Sequence, residues 1–536
     1  TPTASGTFTI TITATNAIGS TDQTFTFTVN QVAAITSVNS TRFALDEIDS
    51  FQVTASGFPA PAFSTSSTLP NGITLSSSGV LSGEPTNAGT FTITIVATNG
   101  IGAPGTQTFT LTVVPPVVFT PLKIADGQVA ASYSQQLTAS GPAGPFTFRL
   151  ASGTLPAGLT LNPNGAVRGS PSQAGTFTIT AAATNGTADT GSQSYTFTII
   201  PAPVPLSISG APDGSAVQFL PNKTGSFALG SAIDPFANTG TSSRTAVADV
   251  NGDGVPDTIF VTGPGTPIRV AVENGASGSL LVLPFDPFGG NFLGGGFVAA
   301  GDFDGDGRAE FVITPDQGGG PRVSIFSLSG FDPKLRANYF TVDPNFRGGA
   351  RAAVGDINGD HIPDLAVAAG FGGGPRVAVI NGIDALTTDG FSFSDRLVGD
   401  FFAFGDDLRN GVYLAIGDVD GDGFGDLIFG AGPGGGPEVL TISGQTLVTR
   451  GSLVAVNNPI SNFFVGGSDS DRSGVRVTTT DADRDNLADV VVATGADVPS
   501  GVRVYLGKNF GGGEPSHFQD LDPFQSAVLA DGVFVG

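Results

Sequence analysis

A nine-residue loop with oxygen-bearing side chains at positions one, three, five and nine occurs five times between residues 249 and 489. The copies, numbered here loops one to five, are DVNGDGVPD, DFDGDGRAE, DINGDHIPD, DVDGDGFGD and DADRDNLAD. Alternate residues of a tight turn can direct oxygens inward, and calcium takes six to eight oxygen ligands at about 2.3–2.6 Å. Asp also favours turns in general, but five copies at one place in a repeat predict calcium sites.

Position six of each loop is where such a turn reverses, so a positive φ angle is expected there. Gly254, Gly307 and Gly423 suit that conformation, and Asn486 is the next most tolerant residue. His361 is the least suitable residue at this position.

An EF-hand is the obvious alternative, because its loop also places oxygen ligands at alternate positions. An EF-hand needs a carboxylate at position twelve and a helix on each side. Position twelve is apolar in every copy: Phe260, Ile313, Val367, Phe429 and Val492. The flanking runs, such as TIFVT and LAVAAG, have strand length, so we expect each loop to connect two strands.

The loops begin at residues 249, 302, 356, 418 and 481, and a period of this size indicates a repeat architecture. Each unit has an apolar run after its loop, a turn that is often glycine-rich, and a Phe-containing run that ends in DPF or a variant. We interpret a unit as four short strands, which would form one blade of a propeller.

The two ends of the repeat region complement each other. Segment 205–236 matches the part of a unit that follows its loop, but it lacks a first strand. Residues 532–536 (GVFVG) follow a final DPF and have the character of that strand. We therefore expect a sixth blade, shared between both ends and without a metal loop, so that the C-terminal strand closes the propeller.

Residues 206–536 resemble the FG-GAP (integrin α-type) repeats, a family of calcium-binding β-propellers with the turn motif D-x-[DN]-x-D-G-x-x-D. The resemblance implies about five calcium ions, bound by side chains at positions one, three, five and nine and by the carbonyl of position seven. Loop three departs from the motif at His361, and loop five departs at Arg484 and Asn486. The implied ligands are Asp249, Asn251, Asp253, Val255, Asp257, Asp302, Asp304, Asp306, Arg308, Glu310, Asp356, Asn358, Asp360, Ile362, Asp364, Asp418, Asp420, Asp422, Phe424, Asp426, Asp481, Asp483, Asp485, Leu487 and Asp489.

The first 201 residues have a different pattern. TFTITITATN, TFTITIVATN and TFTITAAATN begin at residues 7, 90 and 176, and apolar residues alternating with Thr predict half-buried antiparallel strands. These segments resemble the putative Ig domains, cadherin-like sandwiches of large secreted bacterial surface proteins. We predict a hairpin of a truncated Ig-like domain at 1–31, sandwiches at 32–115 and 116–202, and the propeller at 205–536. Because a lone hairpin is marginally stable, we expect the natural chain to continue upstream.

Charge and composition limit the classes of partner that this chain is expected to bind. The formal net charge is −24 with 22 basic residues, so we expect no nucleic-acid partner. The chain has no Cys, so disulfides are excluded, and no apolar run approaches 18 residues, so we expect no membrane insertion. An extracellular or cell-surface location fits this composition, with a surface or matrix protein, a glycan or copies of the chain as partners.

Two sets of aromatic and basic residues recur at fixed places in the units. Arg269, Arg322, Arg376 and Arg503 come at the start of the third strand; Arg244, Arg351 and Arg476 come at the start of the innermost strand, with Phe297 and Tyr413 at the equivalent place. A propeller would put both sets near the face opposite the loops. They are interpreted as hydrogen-bonding neighbouring blades or carbonyls, or alternatively as a rim that binds sugars or carboxylates.

Catalytic chemistry has little support in the sequence. His361 and His517 are the only histidines and there is no Cys, so the residues needed for a catalytic triad or a zinc site are largely missing. A glycosidase carboxylate pair is harder to exclude, although the acids concentrate in the loops. The expectation is a non-enzymatic, calcium-stabilised surface protein for adhesion or for cell-envelope or matrix structure. The alternative is a lectin-like carbohydrate-binding module of a larger secreted enzyme.

Overall fold

The computed structural model describes residues 2–141, 144–187, 189–222, 226–237, 240–386, 396–467 and 470–536. Strands dominate these residues, so the all-β class is confirmed. The chain divides into two compact units. Unit 1 comprises Thr1–Gly127, Ala131–Pro171 and Gly175–Ile199; unit 2 comprises Gln128–Ala130, Ser172–Ala174 and Ile200–Gly536.

Unit 1 begins with a two-stranded hairpin, β1 (Gly6–Asn16) and β2 (Gly19–Val29), followed by two Ig-like segments. The first segment contains β3 (Gln31–Ile35), β4 (Ser40–Ala44), β5 (Asp49–Gln52), β6 (Ala55–Phe58), β7 (Ala62–Thr65), β8 (Ile73–Leu75), β9 (Val80–Gly83), β10 (Gly89–Thr98) and β11 (Gly105–Val114). Its sheets have the strand orders β4-β11-β10-β7, β5-β9-β8 and β3-β6.

The second Ig-like segment repeats this arrangement. It contains β12 (Val118–Thr120), β13 (Gly127–Gln128), β14 (Tyr133–Gln136), β15 (Thr138–Ser140), β16 (Phe146–Gly153), β17 (Leu159–Leu161), β18 (Ala166–Gly169), β19 (Gly175–Asn185) and β20 (Thr190–Ile200). Its sheets are ordered β13-β20-β19-β16, β14-β18-β17 and β12-β15.

The period-two pattern explains which side chains these strands bury. In β10 and β11, Ile93 pairs with Phe109 in register, and both side chains are fully buried. In the β1–β2 hairpin, Ile10 pairs with Phe25 in the same way, but both side chains are exposed. The same alternation therefore forms a core in the Ig-like segment and an uncovered apolar face in the described hairpin.

Within its described residues, unit 2 contains six four-stranded antiparallel sheets. Sheet 1 is β24 (Ser243–Ala248), β25 (Asp257–Thr262), β26 (Val270–Asn274) and β27 (Ser279–Phe285); sheet 2 is β28 (Gly296–Gly301), β29 (Glu310–Pro315), β30 (Arg322–Ser329) and β31 (Asp332–Phe340); sheet 3 is β32 (Ala350–Gly355), β33 (Asp364–Ala369), β34 (Arg376–Ile380) and β35 (Arg396–Phe402). Sheet 4 is β36 (Val412–Gly417), β37 (Asp426–Ala431), β38 (Glu438–Ile442) and β39 (Ser461–Phe464); sheet 5 is β40 (Val475–Thr480), β41 (Asp489–Thr494), β42 (Val502–Tyr505) and β43 (Gln519–Leu521).

Sheet 6 joins the two ends of unit 2, as the sequence predicted. It comprises β21 (Leu206–Ser209), β22 (Ala216–Pro221), β23 (Phe227–Ile233) and β44 (Phe534–Val535). Ile208 pairs with Val535 and Ser209 pairs with Phe534, which confirms the predicted pairing of residues 532–536 with the 205–209 region.

The second strand of each of sheets 1 to 5 is an almost continuous apolar run, and both of its faces are buried. The first strands of consecutive sheets contact each other in order, from β24 to β40. β44 contacts both β40 and β24, so it lies between the first strands of sheets 5 and 1.

Short helices occur in connections between third and fourth strands: α1 (Gly382–Ala385) in sheet 3, and α2 (Gly444–Arg450) and α3 (Ser452–Asn457) in sheet 4. Single 3-10 turns are formed by Val465–Gly467 and Gly507–Asn509. No helix in the described part of the chain has both the length and the apolarity needed to cross a membrane.

Candidate metal centre

Each loop connects the first and second strands of its sheet, as the flanking apolar runs predicted. Loop one begins at Asp249, directly after β24, and ends at Asp257, the first residue of β25. Loops two to five occupy the same place in sheets 2 to 5. The five candidate sites therefore lie at equivalent positions of five similar sheets.

The carboxylate at position one holds the turn together. In loop one, Oδ1 of Asp249 accepts hydrogen bonds from the N–H groups of Gly252 (2.7 Å) and Asp253 (3.2 Å), and Oδ2 accepts from Gly254 (2.7 Å). Asp302, Asp356 and Asp418 accept the equivalent three bonds. The loop backbone is thus wrapped around a carboxylate, whose hydrogen bonds organise the turn.

Positive φ angles confirm the prediction for position six. The values are 81° at Gly254, 83° at Gly307, 68° at His361, 84° at Gly423 and 68° at Asn486. Position four also has a positive φ, which the sequence analysis missed: 77° at Gly252, 71° at Gly305, 76° at Gly359, 79° at Gly421 and 63° at Arg484. Glycine at position four of four loops was the available signal.

The acid at position nine is the most deeply buried acid of each loop. Asp257, Asp364, Asp426 and Asp489 have no exposed surface, and Glu310 has 1%. Oδ2 of Asp426 accepts from the N–H of Val419 at 2.9 Å, and Oδ1 accepts from Gly444 at 3.0 Å. Gly275, Gly382 and Gly507 make the same bond to the aspartates of loops one, three and five. The sequence analysis missed these glycines, although each follows its aspartate by the same interval.

Burial raises the pKa of each position-nine carboxyl, because water no longer stabilises the charged form. Backbone hydrogen bonds oppose the shift, and the neighbouring loop carboxylates add to it. The resulting pKa is about 6 for Asp257, Asp364 and Asp489, about 7 for Glu310 and about 8 for Asp426. A cation bound among these groups would remove their mutual repulsion and displace a proton.

Carboxylate oxygens converge in several loops. Atoms within 4.8 Å of one another come from Asp302, Asp304 and Asp306 in loop two; from Asp418, Asp420 and Asp426 in loop four; and from Asp481, Asp483 and Asp489 in loop five. Oδ1 of Asp483 is buried and has no hydrogen-bond partner among the described residues. These donors are all oxygens, so the residues present fit a hard divalent cation.

Loops one and three carry Asn at position three. Oδ1 of Asn358 accepts from the N–H of Asp360 at 2.9 Å, and its Nδ2 donates to the Asp360 carboxylate at 2.9 Å. Asn251 makes the same bond to the N–H of Asp253, and its Nδ2 lies 3.4 Å from Oδ1 of Asp257. The amide nitrogen therefore faces the carboxylates, and the side chain would have to rotate to offer its oxygen to a cation.

Basic side chains reach into two of the loops in the described part of the chain. Nη2 of Arg336 lies 3.1 Å from Oδ2 of Asp304 in loop two. Nζ of Lys508 contacts Asp483 in loop five and lies 3.0 Å from Oδ2 of Asp485. Among the described residues, no Lys or Arg forms an ion pair with loop four. Loop four is therefore the least neutralised of the three carboxylate clusters.

The arginines of the third strands pair mainly with acids of their own sheets. Arg269 lies 3.6 Å from Asp286, Nε of Arg376 donates to Asp400 at 2.7 Å, and Arg503 lies 3.2 Å from Glu514. Arg322 donates to the side-chain oxygen of Asn338. Each of these contacts lies within a single sheet, so they do not bear out the predicted bonds to neighbouring blades. The expected bond to a carbonyl is seen at Arg269, whose Nη1 donates to the backbone oxygen of Ile268 at 2.7 Å.

The arginines of the first strands form a ring with aromatic residues. Each ring residue is the second of a first strand, except Phe534, which begins β44: Arg244, Phe297, Arg351, Tyr413, Arg476 and Phe534. We call this set the arginine–aromatic ring. Each guanidinium carbon lies 3.9–5.5 Å from the centroids of two aromatic rings. Phe534, which the sequence analysis did not place in this set, closes the alternation.

The sheets and their shared turn define the chain as an all-β protein with a repeated turn motif. More particularly, it carries two tandem domains of the family described as "Putative Ig domain" (residues 31–114 and 115–200), followed by a match to the "FG-GAP-like repeat" (residues 302–367). The FG-GAP-like match spans loops two and three. Both families are those that the sequence motifs resembled.

Solved structures match shorter parts of the chain. A putative α-galactosidase from Bacteroides fragilis is 25% identical over 15% of this chain and 17% of its own, with a TM-score of 0.15. Extracellular domains 3–5 of Drosophila OTK are 16% identical over 37% of this chain and 70% of theirs, with a TM-score of 0.22. The insect immune protein hemolin is 16% identical over 36% and 55%, with a TM-score of 0.20. The chain spans a fifth or less of each of the two first α-galactosidases.

Proposed function

We propose that this chain is a non-enzymatic, calcium-stabilised extracellular protein for adhesion or for cell-envelope or matrix structure. In this proposal its Ig-like segments form a stalk, and its six sheets form a closed six-bladed propeller. Calcium at the five loops stabilises the propeller, and the exposed surfaces bind a partner.

Closure of the propeller is supported by contacts that involve β44. β44 pairs with β21 and touches the first strands of sheets 5 and 1, while Phe534 stacks against Arg244 and Arg476. These contacts join the last strand of the region to its first strand, β21, and to sheets 5 and 1. A propeller closed in this way leaves only short, protected sheet edges.

The buried position-nine carboxylate carries the calcium proposal. Burying an ionised carboxylate costs free energy unless a cation or hydrogen bonds compensate its charge. In loop four, further aspartates lie around the buried Asp426, and no basic side chain pairs with it in the described structure. Calcium would be held by the side chains at positions one, three, five and nine and by the carbonyl of position seven. The ion would supply positive charge and would link the first two strands of each of sheets 1 to 5.

An adhesive or structural role is supported by the families matched, since putative Ig domains and FG-GAP-like repeats are typical of extracellular adhesion-type proteins. Both histidines have exposed side chains, and the ion pairs they form join them to single carboxylates, His361 to Asp356 and His517 to Asp520. Neither arrangement supplies an activated nucleophile. These observations favour a binding function over a catalytic one.

Calcium removal tests the proposal. Extracellular modules typically bind calcium with dissociation constants of about 0.1–1 mM. At roughly 1 mM calcium, each site adds about 0.4–1.4 kcal/mol, and five sites add roughly 2–7 kcal/mol. Chelation should therefore lower the unfolding temperature of the unit 2 transition by many degrees and leave the Ig-like transition unchanged, as followed by calorimetry.

A matched pair of variants distinguishes the effect of a loop carboxylate from the effect of removing any surface acid. Asp418→Ala removes the carboxylate that organises loop four, and it should reproduce part of the chelator effect. Asp332→Ala removes an exposed aspartate of β31 that lies outside the loops, and it should not. If neither chelator nor Asp418→Ala changes the unfolding temperature of unit 2, the metal assignment is refuted.

A lectin-like module is the second candidate, because one cleft of sheets 4 and 5 combines apolar and charged groups. The cleft has a volume of about 440 Å³ and is lined by residues that include Val465, Asp471, Arg503 and Asp520. Pockets of this size and mixed character bind small ligands. Binding to a glycan array that Arg503→Ala abolishes would favour the lectin; homotypic assembly without glycan binding would favour adhesion.

A further inference from the structure

Sheet 4 differs from the other sheets that carry a loop at the start of its third strand. Glu438 begins β38, whereas sheets 1, 2, 3 and 5 have an arginine at the equivalent place, before the same Val. Those arginines contact polar side chains of their own sheets. Glu438 instead lies opposite Phe464 of β39 in register. An acidic and an aromatic side chain are therefore adjacent at the end of sheet 4 that lies away from loop four.

A cavity of about 550 Å³ lies at this end of sheet 4. The glycine-rich turn between β37 and β38, GPGGGP, forms part of its lining. A Cβ atom at Gly436 would lie 2.7 Å from a ring carbon of Phe464, and one at Gly435 would lie 2.9 Å from a methyl carbon of Leu408. Larger residues in the turn would therefore collide with the lining. The volume falls within the range of about 300–1,000 Å³ that is typical of small-molecule sites.

Charged side chains of both signs line the same cavity. They are Asp407, Arg409, Glu438 and Arg472; the first two and the last are exposed, and Glu438 is partly buried. Nη1 of Arg472 lies 3.8 Å from the Cβ position of Gly436, which puts its guanidinium near the ring of Phe464. Within the described residues, the side chain of Arg409 forms neither an ion pair nor a hydrogen bond. Its guanidinium is therefore accessible to a ligand in the cavity.

These groups together restrict the class of ligand. Phe404 and Phe464 line the cavity with partly exposed rings, against which a pyranose ring can pack its C–H groups. Carboxylates accept hydrogen bonds from hydroxyl groups, and guanidinium groups bind a carboxylate with charge-assisted hydrogen bonds. A simple anion would be repelled by the two acids of the lining, and a neutral sugar would not use the charge of the two arginines. A sugar that carries a carboxylate uses all of these groups.

We propose that this cavity binds an acidic saccharide through a hexuronate unit. The carboxylate of the sugar pairs with Arg409 and Arg472, its hydroxyls donate to Asp407 and Glu438, and its ring packs on Phe464. Such a site gives the proposed extracellular surface a ligand, so it rests on the proposed binding function. It is separate from the calcium loops, because loop four joins β36 to β37 at the other end of the sheet.

Calorimetric titration of the calcium-saturated full chain tests this site. The probes are a hyaluronan tetrasaccharide, whose glucuronate units carry its charge, the methyl ester of that tetrasaccharide, and a tetraglutamate peptide. The tetrasaccharide should bind saturably, and esterification should weaken its binding about tenfold or more, because the charged pairing with the arginines is lost. An ester that binds as tightly as the free acid would overturn the proposal. A peptide that binds as tightly as the tetrasaccharide would overturn the saccharide assignment.

Arg409→Met keeps an apolar stem and removes the charge, so it should weaken tetrasaccharide binding about tenfold and leave the unfolding temperature unchanged. Arg450→Met is the matched control, because Arg450 is an exposed arginine in the last turn of α2, outside the cavity.

Three results would overturn the proposal: no saturable binding, equal affinities in Arg409→Met and the wild-type protein, or loss of binding in Arg503→Ala alone. The last would place the saccharide in the cleft of sheets 4 and 5. None of these results changes the effect of chelator on the unit 2 transition, so the calcium proposal succeeds or fails separately.

Discussion

The backbone N–H of Gly444 donates a 3.0 Å hydrogen bond to Oδ1 of Asp426, although eighteen residues separate the two in the chain. Gly444 begins α2, and a Cβ atom there would lie 2.2 Å from the carbonyl oxygen of Gly425. Only glycine can therefore bring its N–H this close to the buried carboxylate of loop four without displacing the backbone. The contact links the segment between the third and fourth strands of sheet 4 to the candidate metal centre in the same sheet.

Gly444→Ala should destabilise unit 2 by about 2–4 kcal/mol, because the added methyl group collides with backbone and the bond to Asp426 is lost. Urea unfolding measures the effect. Gly399→Ala in β35 is the control, since nothing lies within 4 Å of a Cβ atom at that position. Equal stability losses in the two variants would show that the Gly444 contact has no special role.

Stability of the calcium-free protein should fall as pH rises from about 4 to about 8. The position-nine carboxyls have folded-state pKa values of about 6 to about 8, which are raised above the usual unfolded values of about 4. Their stabilising contribution is complete below the unfolded pKa and is lost as pH passes the folded pKa. Thermal unfolding in chelator across this range measures the trend.

Calcium should reverse that dependence, because the ion binds the deprotonated form and releases protons. The stabilisation due to calcium should therefore grow between about pH 5 and about pH 8, and Asp426→Asn should reduce this growth. Calcium stabilisation that is independent of pH would contradict a site built on these carboxyls.

Lys508→Ala should strengthen calcium binding at loop five. The ammonium group contacts Asp483 and Asp485, so it competes with a cation for the same oxygens. Isothermal titration should reveal a higher affinity or an additional occupied site in the variant. Lys334→Ala, which removes an exposed lysine of β31, should leave the titration unchanged; a similar change in both variants would indicate a general charge effect.

Phe534→Ala should destabilise unit 2 by about 3–5 kcal/mol, as is typical of a buried Phe-to-Ala substitution. The ring of Phe534 lies 4.7 Å from the guanidinium carbon of Arg244 and 5.0 Å from that of Arg476. Phe340→Ala changes a side chain that is 46% exposed, and its effect should be much smaller. If both variants lose the same free energy of unfolding, the packing of β44 does not stabilise the junction between the two ends of unit 2.

The loops and their flanking strands could be predicted because their signals are local. Position six needs a positive φ, and the nine-residue motif itself shows Gly254 and Asn486 at that position. The pairing of β44 with β21 was also predictable, since the two segments complete one repeat unit.

The remaining features depend on distant residues. Arg336 and Lys508 enter their loops from other parts of the sheet, and neither is at a repeated position. Phe534 joins the arginine–aromatic ring from a strand of two residues, which is too short for periodicity to identify. Such contacts follow from how strands are brought together, and single-sequence patterns do not encode that arrangement.

Sheet 6 also determines the order of events during synthesis. β21 leaves the ribosome before any other strand of unit 2, while its partner β44 is made after all of them. A contact between residues 208 and 535 has a very high sequence separation, and such contacts slow folding. One edge of β21 therefore has no partner until β44 has been synthesised, and an unpaired strand edge is a place where another chain can pair.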